Sequence, residues 1–436
     1  MASVEGARVI PIDAGQGGWQ LPRQNVPMQT EIRLTRGEQM LALRYARMAA
    51  SPPFLRGGFR PFFFGGAVWA IVALVLWLLA LAGAAQLPSA FDALAWHRHE
   101  MLFGFVGAVI AGFLLTAVPN WTGRLPIAGS PLAALFGLWM VARLAVLFSA
   151  VVGSLTAAVL DVGFFLVLAV LAAREVMEAN NRNLPVVGLI FLFGIVNALD
   201  HAGTAGFSPD PDLAWKCGVA LVVILISLIG GRIVPSFTRN WLSKQGIRTG
   251  LPTQPGRLDI AVIAITAIAF VAWISAPQGW LTGTLFAAAA VGQAFRLIRW
   301  KGWRTFPDPL VLILHVGYLW VPVGLGLLAA VDLGADLPRS AAVHALTAGA
   351  MATMILAVMS RATLGHTGRE LQASPVTQAA YVLVTVGALL RVAAPLGLLE
   401  YRMGMEVAGG AWIGAFVLFL VAYGPILWSR RIDGKL

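Results

Sequence analysis

The amino-acid sequence predicts an all-α, polytopic membrane protein with about twelve transmembrane helices and both termini in the cytoplasm. Hydrophobic residues occupy 58% of the 436 positions and charged residues only 12%, whereas an average soluble protein is about 25% charged. The mean hydropathy of +0.79 also excludes a soluble globular chain. In a membrane protein, a net charge of +11 is better explained by Lys and Arg in the cytoplasmic loops than by binding to nucleic acid. We therefore expect a lipid bilayer around the protein and no nucleic-acid partner.

Residues 1–53 are expected to form a cytoplasmic tail before a membrane domain at 54–436. Residues 1–30 contain acidic residues, prolines and glycines but no apolar run, so they are typical of a polar disordered tail and not of a secretory signal. Residues 31–48 mix arginines with leucines and methionines. That pattern suits a basic helix lying on the membrane surface, and a solvated linker helix is an equal alternative.

Twelve apolar windows are long enough to span a membrane. A helix needs about 20 such residues to cross about 30 Å of hydrocarbon. The windows lie at 62–85, 98–118, 130–150, 153–173, 184–206, 214–235, 258–275, 279–298, 309–331, 338–361, 374–397 and 405–428.

The distribution of positive charge predicts the orientation of these spans. Of the 31 Lys and Arg residues, 24 lie in the two tails and in the loops after the even-numbered spans. The opposite side holds only Arg98, Lys216, Arg339 and Arg402. Because cytoplasmic loops carry an excess of Lys and Arg, both termini are expected in the cytoplasm.

All the histidines lie in or beside spans, where ionisable residues are functional candidates by default. Four of them are predicted to share a layer near the outer surface, at the starts or ends of spans 2, 5 and 10: His97, His99, His201 and His344. The other two, His315 and His366, are predicted near the inner ends of spans 9 and 10. The alternative for any single one is an ordinary interhelical hydrogen bond.

Helix geometry limits how the outer histidines can act together. His97 and His99 are two residues apart, about 200° around a helix, so they cannot both face one metal unless the helix is frayed there. One of them is then a ligand while the other forms a hydrogen bond or binds a second group. Asn197 lies four residues before His201 on the same helix face, where it can orient the imidazole.

Paired imidazoles indicate a haem or another transition-metal centre. Neutral imidazole suits iron and copper, and histidine pairs are common axial ligands of haem. We expect a b-type haem between His344 and one of His97 or His99, beside the small residues of 345–352. The single cysteine, Cys217, excludes a cysteine-based metal cage.

Three arginines within spans are candidate partners for haem propionates. They are Arg143 in span 3, Arg232 in span 6 and Arg391 in span 11. For Arg143, an ion pair with Asp161 of span 4 is an equal alternative.

Five stretches of the chain resemble the NnrS family: GFRPFF (58–63), WHRHEMLFGF (96–105), GFLLTAVPNWTGR (112–124), RIVPSFTRNWL (232–242) and LGHTGR (364–369). The resemblance runs from about residue 54 to the C-terminus. It implies a protein of the bacterial cytoplasmic membrane that contains haem and copper and acts in nitric oxide metabolism and resistance to nitrosative stress.

The chain is also similar in outline to the core subunit of the haem–copper oxidases, with twelve spans and histidines near the outer ends of spans 2 and 10. Spans 2, 6 and 10 end in the similar phrases PNWTGR, PSFTRNW and LGHTGR, which suggests a repeat every four spans. Span 6 departs from the oxidase pattern because it carries Arg232 in place of a histidine.

The resulting hypothesis is a haem protein that binds nitric oxide and reduces it as a nitric oxide reductase-type oxidoreductase. The outer histidines that do not bind the haem would hold copper or a second iron, and Glu100 would ligate that metal or deliver protons. His315 with Tyr318, and His366, would serve a second inner haem or a proton path. The sequence contains no CxxCH motif, so electrons would come from a quinol or another membrane donor.

Two other functions fit the same sequence. A haem-based sensor or scavenger would bind nitric oxide without turnover. A transporter of twelve helices would use buried carboxylates for proton coupling, and Asp161 and Asp200 are the best candidates.

Overall fold

The computed structural model describes residues 36–207, 210, 212–276 and 278–434, and this part of the chain is helical without strands. The predicted polar tail therefore lies outside the described residues. A helix at Arg36–Ala50 overlaps the segment predicted as a basic helix. The chain divides into two compact units, Met1–Ala42 and Leu43–Leu436, and the second unit contains all the candidate spans.

The described residues form twelve helices long and apolar enough to cross a membrane, which confirms the predicted number. Spans 2 and 6 exceed their apolar windows the most, with 30 and 32 residues, because the polar phrases at their ends continue the helix. The spans are Phe59–Leu81, Ala93–Thr122, Ser130–Leu147, Ser154–Glu178, Leu184–Thr204, Leu213–Lys244, Arg257–Ser275, Trp280–Arg304, Pro309–Asp332, Arg339–His366, Pro375–Ala393 and Tyr401–Trp428.

Spans 2, 6 and 10 share an irregular feature that the sequence did not predict. Each contains one π-helical segment, at Glu100–Val106, Ile226–Gly230 and Ala345–Met351. A π-helical turn re-aims the side chains around it and occurs often at functional sites. The segments in spans 2 and 10 begin directly after His99 and His344, so both interruptions lie beside the outer histidines.

Packing separates inner from peripheral spans. Consecutive spans pack side by side, and span 12 packs against span 1. Spans 2, 6, 9 and 10 are the most buried, with 78% of the apolar window of span 2 shielded by protein. A helix that is covered on most sides can carry polar groups away from lipid. Of these four spans, spans 2 and 10 carry outer histidines.

Candidate functional site

The start of span 2 fixes the directions of its two histidines. Asp92 caps the helix by accepting hydrogen bonds from the backbone N–H groups of Leu94 and Ala95, both at 2.9 Å. Because the cap holds Ala93–His99 as a regular helix, the frayed alternative does not occur. His97 and His99 consequently lie on opposite faces and belong to two different sites.

The first site is a cavity of about 590 Å³ between spans 1, 2, 6, 10, 11 and 12. This volume is typical of small-molecule and cofactor sites. Aromatic residues and methionines form much of its wall, and small residues of span 10 lie beside them. Both His97 and His344 line it, whereas His99 is absent from the described lining residues.

The imidazoles of this cavity are held by neighbouring groups. The ring of His97 stacks on Trp77 with centroids 4.6 Å apart and an angle of 18° between planes, and its Nδ1 is buried without a hydrogen-bond partner in the described structure. His344 Nδ1 donates to the carbonyl oxygen of Ser340 at 2.7 Å. Since a carbonyl only accepts, this bond places the hydrogen on Nδ1 and leaves His344 Nε2 free to bind a metal.

Three arginines line the same cavity near its predicted outer end. Arg98 pairs with Asp212 at 3.1 Å, and Arg339 pairs with Asp332 at 2.7 Å. Arg391 lacks such an ion pair, and its Nη1 is buried without a partner within the described part of the chain. The cavity therefore combines apolar walls with positive charge at one end.

The second site is a buried cluster around Asp161 of span 4. Its Oδ2 lies 2.9 Å from His99 Nε2, 3.1 Å from His201 Nε2 and 2.7 Å from Asn197 Nδ2. Asn197 therefore holds the carboxylate that contacts His201, and not the imidazole itself. The second ring nitrogen of His99, Nδ1, lies 2.7 Å from Asp200 Oδ2.

On its other side, the cluster is joined by ion pairs to Arg143 of span 3. The Arg143 guanidinium donates through Nη2 to Asp161 Oδ1 and through Nη1 to Glu100 Oε2 at 2.8 Å. Trp69 Nε1 donates to the same Glu100 oxygen at 2.6 Å. Gly104 allows this approach, because a Cβ there would clash with Glu100 Oε2. The structure thus places Arg143 in the ion pair with Asp161 and away from the cavity.

The cluster carries more negative than positive charge, so it could bind a cation. The cluster holds three carboxylates and one guanidinium: Glu100 and Asp161 contact Arg143, and Asp200 contacts His99. The remaining negative charge can be balanced by protons on the imidazoles or by a metal ion. His99, Asp161 and His201 offer ligand atoms that all lie within 4.8 Å of one another, so the cluster is a candidate metal site.

The two inner histidines have different neighbours from each other. His315 Nε2 lies 2.8 Å from Thr238 Oγ1, and one helical turn away Tyr318 donates to Gln293 Oε1 at 2.6 Å. His366 packs against Phe59 with ring centroids 5.6 Å apart. His366 lines a separate, smaller pocket in which His315 takes no part among the described lining residues.

Fold and site together define a polytopic membrane protein whose spans enclose a histidine-lined cavity and a buried cluster of histidines and carboxylates. A protein-family model described as NnrS protein matches residues 53–431. The chain therefore belongs to the NnrS family, which fits a membrane protein related to nitric oxide. No curated protein matches the chain.

Sequence reasoning underestimated several residues of the two sites. The sequence predicts Asp161 as a partner of Arg143 or as a transporter carboxylate and does not predict its contacts with His99 and His201, although an acidic residue within an apolar span is itself a strong signal. Trp77 and Trp69 were missed because tryptophan is common in membrane helices. The pairing of these aromatic side chains with His97 and Glu100 becomes visible only in the structure.

Proposed function

We propose that the chain is a haem-containing protein of the bacterial cytoplasmic membrane that binds nitric oxide and reduces it, protecting the cell against nitrosative stress. The observation that carries this proposal is that His97 of span 2 and His344 of span 10 line the same cavity. Membership of the NnrS family supports the nitric oxide chemistry. The positive-inside rule supports placing the cavity at the periplasmic end of the bundle.

The donor set of the cavity fits a b-type haem. Imidazole nitrogens of His97 and His344 would hold the haem iron, and the apolar walls would accommodate the macrocycle. Arg391 would pair with a propionate through the guanidinium nitrogen that lacks a partner in the described structure. Bound in this way, the haem would supply reversible one-electron transfer.

A second metal in the buried cluster would give nitric oxide its binding position. If His97 and His344 are both used to hold the haem, a separate metal would be needed to bind nitric oxide. His99, Asp161 and His201 form a set of two imidazoles and one carboxylate, which is the donor set of non-haem iron sites with open positions. We therefore assign iron or copper to these residues, on the face of span 2 opposite His97.

Glu100 is the residue we assign to proton delivery. Reduction of two nitric oxide molecules to nitrous oxide and water consumes two electrons and two protons. Glu100 Oε2 is held by Arg143 and Trp69, while Glu100 Oε1 is buried without a partner among the described residues. The carboxylate is thus fixed by one oxygen, and the other is available to carry a proton beside the metal ligands.

Glu100→Gln is expected to lower nitric oxide consumption by about 10²-fold or more, the usual contribution of a positioned acid or base, while the haem spectrum stays unchanged. Consumption would be followed with a nitric oxide electrode on purified protein with a reducing donor. The matched control is Glu406→Gln, which alters an exposed glutamate of span 12. Full consumption by Glu100→Gln would reject the proton role.

His201→Ala is expected to remove the second metal and leave the haem in place. The loss would be measured by mass spectrometry of metals per protein, together with haem per protein. His315→Ala is the matched control, since His315 is also a buried histidine but contacts Thr238. Unchanged metal content in His201→Ala would contradict the assignment of this cluster.

The same purified protein discriminates the alternative functions. A sensor or scavenger would bind nitric oxide tightly and release no nitrous oxide. A transporter purified from haem-replete cells would be colourless. The carboxylates that the transporter hypothesis would use, Asp161 and Asp200, both contact His99, which favours a shared role with that histidine over an independent proton path.

A further inference from the structure

A pocket at the opposite end of the bundle is not used by the function proposed above. It has a volume of about 190 Å³ and lies where the positive-inside rule predicts the cytoplasm. Three sequence stretches noted above, GFRPFF, GFLLTAVPNWTGR and LGHTGR, each contribute lining residues, and the C-terminal segment after span 12 completes the wall.

The pocket is strongly basic. Its lining contains His366 and four arginines, Arg56, Arg60, Arg430 and Arg431, and no acidic side chain among the described lining residues. One of the four, Arg431, forms an ion pair with Asp433 at 2.6 Å outside the lining, so the other three arginines carry the uncompensated charge. Positive groups collected in a concave site repel one another, and a bound anion relieves that repulsion. This composition points to a ligand with negative charge.

Part of this positive charge is fixed in the fold. Arg60 is 3% exposed, and its Nη1 donates to the carbonyl oxygens of Leu427 at 2.8 Å and Ser429 at 2.6 Å. Arg431 Nη1 donates to the carbonyl oxygen of His366 at 3.0 Å. The pocket is therefore built by buried contacts between spans 1, 10 and 12, and it is not a chance grouping of surface side chains.

Arg430 is the cation that remains available for a ligand. It is exposed, and its side chain has no ion pair within the described part of the chain. By contrast, Arg56 is engaged with the carbonyl oxygens of Ser51 and Ala49, both at 2.9 Å. Arg430 should thus contribute more to ligand binding than to the fold.

The backbone at the start of span 1 adds a second feature that suits an anion. The helix begins at Phe59 without a side-chain hydrogen bond from its cap, Gly58, and both residues line the pocket. A Cβ at Gly58 would clash with Leu115, so the helix end is packed tightly against span 2. The positive end of the helix dipole lies at this pocket and favours an anion, while the Arg60 N–H donates to the Gly57 carbonyl at 3.1 Å and Pro61 has no N–H.

The size of the pocket argues against a second haem at His366. At about 190 Å³ it has less than half the volume of the outer cavity of about 590 Å³. No second imidazole lines it among the described residues. A phosphate group fits both the volume and the cluster of guanidinium groups, which bind phosphate oxygens in pairs.

We propose that this pocket binds a phosphate group, namely the headgroup phosphate of an anionic phospholipid in the cytoplasmic leaflet. Basic pockets between transmembrane helices on this side are suited to anionic headgroups. A free phosphate in the cytoplasm offers the same chemistry, and the experiment distinguishes these two sources.

Binding would be measured by native mass spectrometry on full-length, delipidated protein in detergent, with phosphatidylglycerol, phosphatidylcholine and inorganic phosphate in separate titrations. We expect phosphatidylglycerol to bind and Arg430→Gln to weaken that binding about tenfold, the effect of losing one charge-assisted hydrogen bond. The matched control is Arg248→Gln, an exposed arginine in the loop after span 6, which should leave the affinity unchanged.

Each other outcome overturns part or all of the proposal. Equal affinity for phosphatidylglycerol and phosphatidylcholine, or an equal effect of Arg430→Gln and Arg248→Gln, would reject a phosphate site in this pocket. Binding of inorganic phosphate with the same dependence on Arg430, but no lipid binding, would reject the lipid source and retain the phosphate site. The haem spectrum is recorded for every variant, so a failure here is separable from a failure of the proposed haem function.

Discussion

Purified His344→Ala protein is expected to lose its Soret absorbance, and His97→Ala is expected to lose it as well. Both imidazoles line one cavity, and removal of either leaves the iron with a single protein nitrogen. Loss of even an outer-shell partner of a metal ligand lowers metal affinity by about 10- to 100-fold, so loss of a ligand should cost at least as much. Haem per protein would be measured as the pyridine haemochrome, together with the optical spectrum.

Three other histidines provide controls for this experiment. His315→Ala and His366→Ala should keep the haem, because neither histidine is among the described residues that line the cavity. His99→Ala should also keep the haem but lose the second metal. Addition of imidazole should restore haem to the two cavity variants, since a free ligand can enter the space left by the side chain. Full haem content with an unchanged spectrum in His344→Ala would show that His344 is not a haem ligand.

The direction of the span 2 histidines shows how far the sequence alone could lead. A spacing of two residues on a helix was enough to predict that His97 and His99 face different groups, and their contacts agree. Which of them meets His344 depends on the rotation of span 2 within the bundle. That rotation is set by packing against the neighbouring spans, and it cannot be predicted from the hydropathy of span 2 alone.

Arg143 and Arg391 illustrate the same limit. Spans 3 and 11 both start with a Ser-Pro pair shortly after a Thr-Gly-Arg phrase, at 122–131 and 367–375, and both carry an arginine near the far end. On the sequence alone, Arg143 and Arg391 are both candidate partners for haem propionates. The structure gives them different partners, because Glu100 and Asp161 meet the first while the second lines the cavity.

The π-helical segments could not be predicted from the sequence. Hydropathy and charge identify a span and its orientation, but they do not report one extra residue in a turn. In span 10 the π-helical segment, Ala345–Met351, covers most of the stretch of small residues, 345–352, that was expected to make room for a haem. Small side chains there permit both the irregular turn and close approach of neighbouring groups.

Arg143→Met is expected to lower the free energy of unfolding by about 3–5 kcal/mol, the cost of breaking a buried ion pair by removing one partner. Arg143 is 1% exposed, and it is the guanidinium that bonds both Glu100 and Asp161. Methionine fills similar volume but leaves two carboxylates in a buried site without their cation. Thermal unfolding in detergent would measure the change, and haem content would be recorded alongside.

Two further variants decide whether charge, and not packing, produces this effect. Arg174→Met removes an exposed arginine that pairs with Glu178 along span 4, and such surface pairs contribute about 0–1 kcal/mol. Adding Glu100→Gln to Arg143→Met removes one uncompensated carboxylate and should recover part of the lost stability. An equal loss of stability in Arg143→Met and Arg174→Met would mean that the buried ion pairs of Arg143 contribute no more than a surface pair. No recovery in the double variant would mean that the unpaired carboxylates do not cause the loss. Either result would contradict the conclusion that charge stabilises the cluster.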